Sequence, residues 1–406
     1  MSEKLYQKTP HRSIVIASVV SALALFFVTG HEAGAQSFQT IAPTAILVDS
    51  DTRAVLFEKN ADELVAPASM AKIMTAEVVF NELKNGRLRM DSEFTISVNA
   101  WKKGGAGSGG SAMFANVNTA IRLEDLLRGL IVQSGNDAAI ALAEGISGTE
   151  ENFARLMNDR ARQIGLTKST FRNSTGYSDP EQKVTVRELA ALSRFVIEAY
   201  PDLYKMFGER EFTWNKIRQQ NRNPLLAMDI GADGLKTGNV DESGYGLSGS
   251  AVQNGQRLIV VVNGLKTARD RAAESRKLLE WGFRSYEPHL LFEAGQVVGD
   301  AQVFGGDRRS LALVSERPVR VLVRRGEGER LSARIVYQGP LKAPIRKGAQ
   351  VARIEVTRGD MKALEMPLYA SEDVEVGTLP QRAFDGLLEV STGWVRRAIS
   401  DAFSGI

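Results

Sequence analysis

The sequence predicts an α/β (α+β) domain, then a small all-β sandwich and a C-terminal amphipathic helix. Three patterns predict it. In the first 286 residues, strand-like segments stand early and late with helical periodicity between them, as in one layered domain whose sheet joins both ends of the segment. From 287 to 380 short alternating strands follow one another between glycine and proline turns. From 381 to 406 apolar residues recur at the 3.6-residue helical period.

Residues 1–35 have the layout of an export signal. Lys4, Lys8 and Arg12 precede an apolar run from Ile14 to Val28, and Ala33-Gly34-Ala35 offers a small-residue cleavage site. The apolar core is short for a membrane span, so cleavage after Ala35 is expected rather than an uncleaved anchor. The long segment 36–286 opens with a hairpin, Ile46-Leu47-Val48 returning through Ala54-Val55-Leu56-Phe57. Val65-Ala66-Pro67-Ala68-Ser69 then leads into a nearly uncharged run to Phe80, a helix starting at or near Ser69 and buried on most sides. Gly105, Gly107 and Gly110 have G-x-G-x-x-G spacing, but with no preceding strand or following helix the stretch reads as a mobile surface loop. Helices are expected at Leu123 to Leu130, Asp137 to Glu144, Glu150 to Ile164 (closed by Gly165), and from a capping box at Thr185 and Glu188 to just before Pro201. Leu235-Lys236-Thr237 and Tyr245 to Val252 read as strands, and Asn254-Gly255 turns the second into Leu258 to Val262. A helix from Ala272 to Phe283 closes the domain, with a boundary at Tyr286-Glu287-Pro288.

Beyond Pro380, Phe384, Leu387, Leu388, Val395, Ile399 and Phe403 share a face opposite Asp385, Glu389, Arg396 and Arg397. Such a helix packs on the sandwich, on a partner, or in the plane of a membrane. Its terminal position and the export signal favour the membrane surface, and adsorption would rest on apolar burial because the charges nearly cancel.

Composition removes several functions. The chain has 406 residues, 43% hydrophobic and 24% charged, with a net charge of +3, so no nucleic-acid footprint is present. It has no cysteine, which excludes disulfides and thiolate chemistry. Of three histidines, His11 and His31 lie in the N-terminal stretch and only His289 lies beyond it, leaving no basis for a Ser-His-Asp triad or a multi-histidine zinc site. A hydrolase built on this chain takes its base from Lys, Glu, Asp or Tyr. No cofactor is expected.

Ser69 and Lys72 are three apart on one helix face, where a hydroxyl nucleophile and an amine base can meet. One or two such pairs arise by chance in a chain of roughly this length. Ser134-Gly135-Asn136 between two helices and Lys236-Thr237-Gly238 on a late strand lift the pair out of that background. Together they are the motifs of serine-active penicillin-recognising enzymes.

On these residues the chain resembles the low-molecular-mass penicillin-binding proteins, specifically the D-alanyl-D-alanine carboxypeptidases (peptidase S11-like), over nearly its whole length. The resemblance implies a β-lactamase/transpeptidase-like catalytic domain at the periplasmic face of the inner membrane. It would remove the terminal D-alanine from peptidoglycan pentapeptide stems through an acyl-enzyme at Ser69, and β-lactams would inhibit it. Lys72 would accept the Ser69 proton, with burial, the helix start and the charge of Lys236 all keeping it neutral. Ser134 would relay the proton, Asn136 hold the substrate amide, and Lys236 and Thr237 bind the terminal carboxylate through fixed positive charge. Gly238 completes that motif, and the backbone N–H groups of Ser69 and Asn239 would form the oxyanion hole. Arg222 and Arg271 match family positions near the carboxylate. Many relatives carry histidine after Lys-Thr-Gly; Asn239 keeps the backbone role but brings no imidazole, so slower turnover is expected.

Three other readings compete. A class A β-lactamase deacylates with a glutamate, but Asp179 and Glu181 beside Pro180 lack its Glu-x-x-x-Asn spacing. A peptidoglycan DD-endopeptidase shares the motifs, and a membrane-tethered scaffold without catalysis would not need Ser69, Lys72 and Lys236.

Overall fold

The computed structural model describes residues 38–326, 330–358 and 361–383. The proposed signal segment, and the terminal helix beyond residue 383, lie outside the described residues.

The central sheet has five antiparallel strands in the order β2-β1-β9-β8-β7. β1 is Thr44–Asp49 and β2 Val55–Lys59; β7 is Ala232–Val240, β8 Gly244–Gln253 and β9 Gln256–Leu265. The first strands thus meet the last, with Ile46 opposite both Glu58 and Val261. Side-chain alternation divides β9 between two cores. Ile259 and Val261 join the helical core with Met74, Phe80 and Leu192, whereas Leu258, Val260 and Val262 pack with Leu278 and Leu279. Both faces being covered, the strand reads as an unbroken apolar run.

Between β2 and β7 lie α1 (Lys72–Lys84), the short pair β3 (Glu93–Thr95) and β4 (Ala120–Arg122), and α2 (Leu123–Ile131). There follow α3 (Asn136–Ser147), α4 (Glu150–Gln163), α5 (Val186–Ala199), α6 (Pro201–Tyr204), and a hairpin of β5 (Glu211–Trp214) and β6 (Ile217–Gln220). The Thr185 hydroxyl accepts from the Glu188 N–H at 3.0 Å, capping α5. At Gly165, φ of +88° closes α4, with the Leu166 N–H reaching the Ala161 carbonyl. In α7 (Ala268–Ser285), Thr267 caps the start. The predicted Asn254-Gly255 turn has φ of 50° and 77°, the left-handed pair a two-residue hairpin requires.

β10 (Tyr286–Phe292) begins directly after α7, and Trp281 meets Tyr286 edge-on at 5.7 Å. The remaining strands are β11 (Val297–Phe304), β12 (Ser310–Val314), β13 (Val319–Arg324), β14 (Leu331–Val336), β15 (Leu341–Lys342), β16 (Gln350–Arg358) and β17 (Met361–Ala370). β10 pairs with β13, and the others form a sheet ordered β14-β16-β17-β12-β11-β15 around a core that includes Leu311, Val321, Ile354 and Leu368. Among the described residues no helix is long and apolar enough to cross a membrane.

Candidate active site

Ser69 lies in a single 3₁₀ turn, Ala68–Ala71, and α1 starts at Lys72. The buried helix expected near Ser69 therefore begins one turn later, with the serine in its tightened lead-in. Ala68 holds φ of 48°, a costly value for a residue with a Cβ. It is pinned from both sides by glycines. A Cβ on Gly176 would lie 1.9 Å from the Ala68 carbonyl oxygen, and one on Gly238 would lie 2.8 Å from that of Pro67. Gly238 is thus the residue that lets β7 approach the serine turn.

Lys72 is 1% exposed. Its Nζ donates to Ser69 Oγ at 3.0 Å, to Asn136 Oδ1 at 2.7 Å and to the Thr175 carbonyl. Burial brings its pKa down to about 7 against the opposing pull of the Asp137 carboxylate. Burial, the first of the expected causes, dominates, and the opposing Asp137 carboxylate was not foreseen.

Ser134 sits between α2 and α3 with φ of 65°, and its buried Oγ has no hydrogen-bond partner among the described residues. Asp137 fixes this corner, accepting from the N–H groups of Met113 (2.9 Å) and Ala138 (3.0 Å) through Oδ1 and of Ala115 (3.1 Å) through Oδ2. The glycine-rich stretch is exposed at 101–103 and 106–110, as a surface loop is expected to be, yet two of its glycines make close approaches here. A Cβ on Gly104 would strike the Asp137 backbone nitrogen at 2.4 Å, and one on Gly110 the Asn136 amide at 2.7 Å.

Lys236, 2% exposed on β7, donates to the Thr237 carbonyl at 3.2 Å. Its pKa lies well below the ordinary lysine value because of burial, then repulsion from Lys72, Arg222 and Arg271. That direction works against the positive charge expected at this position. Two guanidiniums, Arg222 and Arg271, line the same site. Arg271 stacks over Tyr245 at 5.6 Å, and its Nε has no partner among the described residues.

One cleft of about 510 Å³ gathers Ser69, Ser134, Asn136, Arg222, Thr237, Gly238, Asn239 and Arg271. Lys72 and Lys236 lie just beneath it. The fold brings together every residue singled out from the sequence. It adds three that were missed: Thr175, Gly176 and Tyr177. The Tyr177 hydroxyl accepts from Asn136 Nδ2 at 2.9 Å and donates to the Lys103 carbonyl at 2.7 Å. A run of turn-forming residues, Asn173-Ser174-Thr175-Gly176, was the available signal.

Comparison with known proteins agrees with this geometry. Residues 31–267 match the D-alanyl-D-alanine carboxypeptidase family, and residues 286–376 match the penicillin-binding protein 5 C-terminal domain. The chain is 39% identical to the D-alanyl-D-alanine carboxypeptidase DacC of Escherichia coli over 86% of its own length and 88% of the relative's. Penicillin-binding protein 5 from Haemophilus influenzae superimposes with a TM-score of 0.76 at 36% identity, over 84% of this chain and 100% of that one. Penicillin-binding protein D2 from Listeria monocytogenes in its ampicillin-bound form gives 0.53 at 28% identity, over 61% of this chain and 98% of that one. With its catalytic-domain match covering more than half of its length, this chain belongs to the D-alanyl-D-alanine carboxypeptidase family.

Proposed function

We propose that this enzyme removes the terminal D-alanine from peptidoglycan pentapeptide stems, with Ser69 as nucleophile and β-lactams as acylating inhibitors. The observation that carries the assignment of roles is the contact between Lys72 Nζ and Ser69 Oγ, beside a cleft that Arg222 and Arg271 also line. Lys72 takes the Ser69 proton as the oxygen attacks the carbonyl carbon between the two D-alanines. The backbone N–H groups of Ser69 and Asn239 hold the resulting oxyanion, where loss of one donor costs about 10²–10³ in rate. The C–N bond breaks and the leaving D-alanine amine takes the proton through Ser134, whose Oγ has no competing partner. Water, activated by Lys72, then hydrolyses the ester and restores the serine. Asn136 exchanges its contact with Tyr177 for the substrate amide. The substrate carboxylate sits among Lys236, Thr237 and the two arginines, where its charge favours the protonated form of Lys236.

The division into a signal at 1–35, catalytic domain at 36–286, β-domain at 287–380 and anchoring helix at 381–406 belongs to the same proposal. It puts the mature enzyme at the periplasmic membrane surface. Export is supported by the basic, apolar and small-residue order of the first 35 residues.

The test is D-alanine release from a peptide ending Lys-D-Ala-D-Ala, comparing wild type with Ser69→Ala. Release by wild type and none by the variant is expected. No release from folded wild type would overturn the assignment, and release of cross-linked peptide alone would make the enzyme an endopeptidase.

A further inference from the structure

The partners of Lys72 fix where its lone pair points. As an ammonium it donates to Ser69, Asn136 and Thr175, but the neutral amine has only two N–H groups and a lone pair. The Tyr177 hydroxyl gives its hydrogen to the Lys103 carbonyl, so it accepts from Asn136 Nδ2, and Asn136 Oδ1 faces Lys72. That oxygen and the Thr175 carbonyl are acceptors only, and together they take both N–H groups of the neutral amine. The lone pair is left for the Ser69 hydroxyl at 3.0 Å, as a general base requires.

A main-chain carbonyl is aimed by whatever holds its loop. Thr75 lies one turn after Lys72 on the same face of α1, and its Oγ1 donates to the Ser174 carbonyl at 2.7 Å. Successive carbonyls of the 173–182 loop are thus bonded to successive turns of α1. Asn173 Oδ1 gathers the turn from within, accepting from Thr175 Oγ1 at 3.0 Å and from the N–H groups of Gly176 and Tyr177 at 2.8 and 3.1 Å. Gln182 joins the two legs of the loop. Its Oε1 accepts from the Arg172 and Asn173 N–H groups at 3.0 and 3.2 Å, and its Nε2 donates to the Tyr177 carbonyl at 2.8 Å. Thr75 and Gln182 are 0% and 2% exposed, and neither they nor Asn173 line the cleft.

We propose that Thr75, Asn173 and Gln182 are positioning residues for the base, holding the Thr175 carbonyl where it takes one Lys72 N–H and turns the lone pair toward Ser69. The inference rests on the proposed function, in which Lys72 takes the Ser69 proton. With that carbonyl displaced, the amine turns about its Cε–Nζ bond and an N–H competes with the lone pair for the serine. The substrate carboxylate is held elsewhere, by Arg222, Thr237 and Arg271. The three residues therefore act on the rate of acylation and not on binding.

The test is rapid-quench acylation by a fluorescent penicillin, resolving the limiting rate from the half-saturating concentration. Thr75→Val, Asn173→Ala and Gln182→Met are expected to slow the limiting rate by roughly 10- to 100-fold, the effect of a misplacement of about 1 Å. The half-saturating concentration should move by less than about threefold. Thr75→Ser keeps the hydroxyl and should hold the rate within about threefold of wild type. Partial unfolding lowers the amount of protein labelled but not the rate of the folded fraction, so a merely structural loss reads differently. Thr75 and Gln182 lie in different elements, and either variant serves if the other does not fold. A limiting rate unmoved in the folded variants, a change confined to the half-saturating concentration, or a Thr75→Ser variant as slow as Thr75→Val overturns the inference and leaves the carboxypeptidase reading intact. Wild type that is not acylated at Ser69 overturns the reading beneath it as well.

Discussion

If the Lys72 amine is the base that activates Ser69, the acylation rate follows its neutral fraction. Burial has brought that pKa to about 7, with Asp137 resisting. An ordinary lysine near 10.4 is neutral in only about one molecule in a few thousand at pH 7. Here about half are, a gain of roughly 10³ in the competent form. The sign is fixed by the mechanism: the ammonium has no lone pair to accept the serine proton, so the rate rises with pH. At pH 5, two units below that pKa, about 1% of Lys72 is neutral, and acylation should be ~50-fold slower than at pH 7. Above pH 8 it should level off. The assay is rapid-quench labelling with a fluorescent penicillin, reading the limiting rate at saturating ligand. That rate separates Lys72 from Lys236 and the arginines, which act in binding. Lys72→Arg should abolish labelling at every pH, since a guanidinium stays protonated. A rate independent of pH between 5 and 8 would refute the reasoning, as would a tenfold climb per unit continuing above pH 9.

Three further outcomes follow from the site. Tyr177→Phe removes the hydroxyl joining Asn136 to the Lys103 carbonyl, and should lower unfolding free energy by about 1 kcal/mol and kcat/KM by ~10-fold, read by thermal melting and D-alanine release. Gly176→Ala puts a Cβ 1.9 Å from the Ala68 carbonyl oxygen at φ of +82°, so it should cost more than about 1–3 kcal/mol and abolish penicillin labelling; a wild-type melting curve would contradict the packing described. Replacing Arg222 and Arg271 together by glutamine should raise KM for a carboxylate-ended peptide by roughly 10- to 100-fold, from the worth of charged hydrogen bonds, and reduce the preference over the same peptide ended by a carboxamide.

Features encoded in neighbouring residues were legible in the sequence. Thr185 caps a helix because its hydroxyl reaches the N–H three residues on, although the Glu188 carboxylate turns to the backbone of Thr167 and Lys168 instead of closing a capping box, and Asn254-Gly255 turns a hairpin because both tolerate positive φ. Ser69 and Lys72 could be paired by the same logic of spacing. Features depending on burial or distant backbone were not. Thr175 serves Lys72 through a carbonyl, which every residue type possesses, and it reaches the lysine from 103 residues away. Nothing in Leu235-Lys236-Thr237 reveals that the lysine is enclosed beside two guanidiniums and a second amine. The glycine-rich stretch suggested mobility by composition, whereas Gly104 and Gly110 are needed where backbone and the Asn136 side chain come too close for a Cβ.

The pairing of β1 with β9 also sets an order of events during synthesis. Ile46 emerges early, but its partner Val261 follows only after all the intervening helices, so β1 keeps an open hydrogen-bonding edge while most of the domain is made. Closing so long a loop delays native contacts and prolongs exposure of the apolar run in β1 to other chains. Penicillin labelling of nascent chains of increasing length should therefore begin abruptly, once β9 and the start of α7 have left the ribosome. The ability to be acylated then reports completion of the sheet, and truncated products remain unlabelled.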